Sequence, residues 1–85
     1  MTTIKFSGSI LNAPKSIVRY GKRWNHSEMG ASTASEAIKM KNRWERKNPW
    51  ASYMVVKLVG ERWPNGAHKP VEDKFYMLYE RRRAA

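Results

Sequence analysis

The sequence predicts an α+β fold of two layers: an antiparallel sheet of about four strands in the order β-β-α-β-β, with one helix packed on one face. Three observations predict it. One capped, amphipathic helical segment lies near the middle of the chain. Two β-rich segments downstream of it flank an Asn-Gly pair. Upstream, alternating apolar residues make two further strand-like runs. A chain of 85 residues has room for one domain, expected over residues 1–80 with a basic tail over 81–85. The 41% hydrophobic content is enough for a modest core. A domain of this size carries a thin stability margin, about 3–6 kcal/mol.

Residues 3–11 read as the first strand, with Ile4, Phe6 and Ile10 on one face and Lys5, Ser7 and Ser9 on the other. Asn12-Ala13-Pro14-Lys15 has turn composition. Residues 16–24 read as the second strand, placing Val18, Tyr20 and Trp24 on one face and Arg19 and Arg23 on the other. Residues 25–32 are polar and small and read as a loop. Thr33-Ala34-Ser35-Glu36 is a capping box, which satisfies two of the amide groups that a helix start leaves without partners. The helix it opens runs to about Lys47, where Asn48-Pro49 stops it because proline disfavours helical backbone in the residue before it. Ala34, Ala37, Met40 and Trp44 share its packing side. Residues 53–59 and 74–80 read as two strands of a long hairpin turning at Asn65-Gly66, with Pro70 making the outer part irregular. The expected core is Ile4, Phe6, Val18, Tyr20, Ala37, Met40, Trp44, Met54, Val56, Leu58 and one of Met77 or Leu78.

Charge dominates the functional reading. Lys and Arg number 17 against 7 Asp and Glu, a formal net charge of +10. Without cysteine, disulfides, thiolate nucleophiles and cysteine-based zinc sites are excluded together. No run of apolar residues is long enough for a membrane span. The segment MTTIKFSGSIL has no apolar leader core, so a cytoplasmic protein is expected. The pattern holds no phosphate-cradling glycine loop, no metal-ligand cluster and no nucleophile elbow. His26 and His68 are isolated, and Glu72-Asp73 reads as a loop feature beside Lys69 and Lys74. The expectation is a non-enzymatic protein with no cofactor and no metal.

Positive charge with aromatics nearby is the signature of a polyanion binder. Arg19, Lys22 and Arg23 are interleaved with Tyr20 and Trp24, which stack on unpaired bases if exposed and fill the core if not; Tyr20 is assigned to the core. On the helix, Lys39, Arg43 and Arg46 fall within about 60° of one another, opposite the packing face. Arg62 and Trp63 mark the hairpin tip, where an exposed tryptophan beside a cation has the character of a binding hot spot. Arg81 and Arg82 continue into Arg83 and are expected to add affinity without specificity.

Thr33-Ala-Ser-Glu-Ala-Ile-Lys opening a single helix, followed by Met54-Val-Val-Lys-Leu entering a meander, resembles in organisation the small orphan proteins that phages encode, anti-CRISPR and host-takeover inhibitors among them. The resemblance spans about residues 33–80 and implies binding and obstruction of a host machine inside a bacterial cell. Two readings follow. In the first, the chain binds DNA, RNA or a nucleoprotein complex. In the second, its basic surface docks on an acidic face of a host protein and blocks it. Neither involves a membrane, and the open sheet edges allow a monomer or a homodimer.

Overall fold

A computed structural model of the chain describes residues 1–83. The α+β class is as expected, but the sheet is larger and differently wired. Five strands are present: β1 (Thr2–Lys5), β2 (Ser16–Arg19), β3 (Lys22–Ala31), β4 (Ala51–Arg62) and β5 (Val71–Arg82), with helix α1 (Ala34–Lys47) and a short 3₁₀ turn at Ile10–Asn12. Their spatial order is β1-β4-β5-β3-β2. The sheet is mixed rather than antiparallel, because β1 runs parallel to β4.

Each departure has a local cause. The first strand stops at Lys5 because Gly8 at φ 93° and the 3₁₀ turn break the extended run. Phe6 N–H still donates to the Val59 carbonyl at 3.1 Å, and the Gly8 carbonyl accepts from Glu61 N–H at 2.7 Å. The N-terminal segment is thereby fastened along β4 and not against residues 16–24. Gly60 permits this approach: a β-carbon there would lie 2.8 Å from the Gly8 oxygen. The expected strand over 16–24 is really two strands. Tyr20 and Gly21 both have positive φ, 55° and 71°, and pair Arg19 with Lys22 in a two-residue hairpin turn. Arg19 therefore shares a face with Lys22, and Arg23 faces the other way, opposite Val18. The expected loop over 25–32 is the rest of β3, interrupted by a bulge between His26 and Gly30. Ser27 holds the bulge by accepting from Met29 N–H and donating to the Leu78 carbonyl, and Glu28 takes φ 65°.

The helix and the long hairpin form where expected. The Thr33 hydroxyl accepts the Glu36 N–H at 3.4 Å, and Asn48 closes the helix on the Trp44 carbonyl. β4 and β5 pair along twelve residues each, from Ala51 opposite Arg82 to Arg62 opposite Val71. Pairing thus runs past the expected strands 53–59 and 74–80 at both ends, leaving only 63–70 outside the ladder. The strand also takes in Arg81 and Arg82, the first two residues of the expected tail. Because β4 begins at Ala51, β5 has a ladder partner through Arg82, and Arg83 N–H reaches the Trp50 carbonyl at 2.8 Å. The remainder of that segment lies outside the described residues.

Both faces of the sheet are packed. α1 covers one face through Ala37, Met40 and Trp44, against Ala31, Tyr53, Val55 and Leu78. On the other face Ile4, Phe6, Ile10 and Ile17 pack on Trp24, Val56, Leu58, Met77 and Tyr79. Ile4 and Ile17 come from the two edge strands, so the sheet curls around this second cluster. The alternation of β4 and β5 explains why both Met77 and Leu78 are buried: they serve different faces. Val18 and Tyr20, expected in the core, are 66% and 80% exposed, since the tight turn carries them beyond both clusters.

Candidate functional site

α1 ends before the sheet does. Below its C-terminus, the helix-side surface of the sheet is left open as a cleft of about 660 Å³. Four cations line it: Arg23 and Arg82 share the helix-side face with Glu80, whereas Lys22 and Arg81, each one residue along its strand, turn toward the other face. Sheet register brings them together. Asn25 pairs with Glu80 and His26 with Tyr79. The same register, carried two residues further, sets Trp24 beside Arg81 and Arg23 beside Arg82. The first of these meetings is seen directly, since the Arg81 guanidinium lies 5.5 Å from the Trp24 ring centre.

The cleft is electrostatically unbalanced. Its lining carries four cations and one carboxylate, Glu80, a formal +3, with Arg23, Arg82 and Glu80 on the helix side. Among the described residues, the ion pairs within 4.0 Å are Lys41–Glu45 and Lys74–Glu72, so no carboxylate pairs closely with any cleft cation. Like charges on neighbouring strands destabilise a sheet. Arg81 adds to this: its Nε–H is buried without a hydrogen-bond partner, and a lost partner of this kind costs about 1–3 kcal/mol. Its packing on Trp24 returns about 0.5–1 kcal/mol at a partly exposed site. The fold gains little from this arrangement, whereas a bound polyanion would gain much.

One wall of the cleft is Trp50, which is 58% exposed. Its backbone is fixed on both sides: Ala51 N–H donates to the Asn48 carbonyl at 3.0 Å, and the Trp50 carbonyl accepts from Arg83. Asn48 Nδ2 donates to Tyr53 Oη at 3.0 Å, joining the helix terminus to the floor. Trp50 belongs to neither packed cluster. The sequence held one signal for it, a tryptophan placed directly after a helix stop and two basic residues, Arg46 and Lys47.

The other expected site residues divide. Arg19 lies beside Lys22 across the hairpin turn, at the border of the cleft. Trp24 is 8% exposed, and its indole N–H donates to the Arg19 carbonyl at 3.2 Å. It supports Arg81 from within the core and has no free face for a base. Lys39 and Arg43 are exposed on the outer side of α1, around a shallow depression that also includes Glu36. Arg46 is exposed in the last helical turn, just ahead of Asn48 on the cleft wall. Arg62 and Trp63 are exposed at the opposite end of the hairpin. Eleven strand steps of about 3.3 Å separate Ala51 from Arg62, roughly 36 Å, in a molecule 51 Å long. That is several Debye lengths at ordinary salt, so the tip and the cleft act independently.

Elsewhere, Tyr79 is fully buried beneath His26 with ring centres 5.6 Å apart, and it donates to the Pro14 carbonyl. Burial raises its phenol above the ordinary 10.0. Among the described residues no three His, Asp or Glu side chains converge where they could hold a metal ion, and no helix is long and apolar enough to cross a membrane. No family model, curated protein or solved structure matches this chain.

Proposed function

We propose that this chain is a non-enzymatic binding protein whose cleft takes the phosphate backbone of a nucleic acid, either free or within a nucleoprotein complex. The observation that carries the reading is the convergence of Lys22, Arg23, Arg81 and Arg82 from two neighbouring strands with no close carboxylate partner. Phosphates would relieve the like-charge repulsion and release counterions, so affinity should fall steeply with salt. The test is fluorescence anisotropy with labelled DNA and RNA at rising salt. Tight binding at 50 mM salt that weakens steeply by 200 mM supports the reading. No binding to either nucleic acid at 50 mM overturns it.

A second reading, an inhibitor of phage type that docks on an acidic face of a host protein, has one observation in its favour. Met1, Tyr20 and Ile38, all exposed, converge with Met54 and Val55 on an apolar groove beside the cleft. An apolar patch edged by cations is the usual anatomy of a protein interface. Its test is capture from nuclease-treated lysate by the chain and by a Tyr20→Glu/Ile38→Glu variant. A protein held by the first and lost by the second supports this reading. Loss of all captured protein after nuclease removes it.

A further inference from the structure

Resting on the polyanion reading, we propose that the cleft recognises single-stranded nucleic acid, with an unpaired base stacked on Trp50 and the adjoining phosphates on Arg23 and Arg82. A phosphate site alone does not call for Trp50. The ring is large, apolar and 58% exposed, it lies outside both packed clusters, and it stands on the wall of a concavity lined by four cations. Its mounting is rigid: Pro49 precedes it with a fixed φ, and the backbone hydrogen bonds at Asn48–Ala51 and Trp50–Arg83 bracket it. A pre-positioned aromatic beside a basic groove is the arrangement that binds single strands, because every base has a π-face and stacking tolerates any sequence.

Duplex fits this geometry poorly. Its bases are stacked on one another and offer Trp50 no free face, while its phosphates lie on a convex surface that meets a concave cleft only at the rim. The cleft volume of about 660 Å³ falls in the range that encloses a small organic ligand, on the order of one or two nucleotides. Arg23 and Arg82 on the helix side match the one or two phosphates that such a segment carries. The floor continues past the site, since Tyr53 lines both the cleft and the neighbouring groove. In that groove Tyr20, 80% exposed in the hairpin turn between Arg19 and Lys22, presents a second aromatic. A strand leaving the cleft past Lys22 meets it.

The experiment compares a labelled oligodeoxythymidylate of about ten nucleotides with a blunt duplex of about ten base pairs by anisotropy at 50 mM salt, using the native chain, Trp50→Ala and Trp50→Phe. The oligodeoxythymidylate is expected to bind at least about tenfold tighter than the duplex. Trp50→Ala is expected to weaken single-strand binding by about 5- to 100-fold, without changing duplex binding or the salt dependence. Trp50→Phe, which keeps a stacking face, recovers most of the loss. Because Trp50 packs in neither cluster, both variants should keep the native circular dichroism spectrum. Duplex binding equal to single-strand binding, or Trp50→Ala leaving single-strand binding intact, overturns the proposal while the phosphate-binding function stands. Failure of both nucleic acids to bind at 50 mM salt removes that function as well.

Discussion

Removing the facing arginines should change the salt dependence of binding by a calculable amount. If each of Lys22, Arg23, Arg81 and Arg82 neutralises one phosphate of a single strand, log K falls with log salt with a slope of about −2.8, at about 0.7 per contact. Raising salt from about 50 to 200 mM then weakens binding by about 50-fold. Arg23→Ala/Arg82→Ala removes two contacts, so the slope becomes about −1.4 and the same salt step costs only about sevenfold. The substitutions also remove like charges that the register sets side by side, so the variant should be at least as stable as the native chain toward urea. Anisotropy with an oligodeoxythymidylate at five or so salt concentrations gives the slope, and urea unfolding gives the stability. A double variant whose slope stays near that of the native chain would refute the reasoning: those arginines would then not contact phosphate, whatever the absolute affinity.

The ridge on α1 supplies the control. Lys39→Ala/Arg43→Ala removes the same number of charges away from the cleft, so the slope should move by less than about half of the change given by the cleft variant. Gly30→Ala should destabilise the fold by roughly 2–4 kcal/mol in urea unfolding, because the added β-carbon would lie 2.5 Å from the Tyr76 carbonyl oxygen and 3.2 Å from Met77 Cα, both backbone atoms of the adjacent strand. Tyr79 imposes a sign on the alkaline limb of stability. Its buried phenol holds its proton longer than in the unfolded chain, so above the ordinary 10.0 the unfolded state carries fewer protons and stability falls as pH rises. That contribution is whole below the ordinary value and is lost as pH climbs through the raised one. Tyr79→Phe should lose about 1 kcal/mol at neutral pH with the bond to Pro14, and its stability should decline less above pH 10 than that of the native chain.

The parts of the fold that local rules govern were legible in the sequence. Thr33 and Asn48-Pro49 bounded the helix, and Asn65-Gly66 announced the long hairpin. Two things were not. The Tyr20-Gly21 turn was hidden because tyrosine is a poor indicator of positive φ, and without it residues 16–24 passed for one strand. The parallel docking of β1 on β4 depends on contacts more than fifty residues apart in sequence, which no local alternation encodes. The site followed the same division. Arg23 and Arg82 were recognisable as cations, but their meeting depends on the pairing of β3 with β5. Trp24 was ambiguous because a strand tryptophan next to arginines serves equally as core or platform; the register carries it inward. Trp50 was not legible as a site residue because its exposure is set by where α1 stops relative to the sheet, a tertiary fact.

The most direct test of the central claim, that the cleft at the end of β3 and β5 is the binding surface, is a nuclear magnetic resonance titration of the isotope-labelled chain with unlabelled oligodeoxythymidylate at low salt. The largest shifts should fall on the amides of Arg23, Asn25, Glu80 and Arg82 and on the indole N–H of Trp50, with Arg62, Trp63 and the Lys39–Arg43 face of α1 unmoved. Shifts concentrated at the hairpin tip or on the outer face of α1, with the cleft silent, would contradict it.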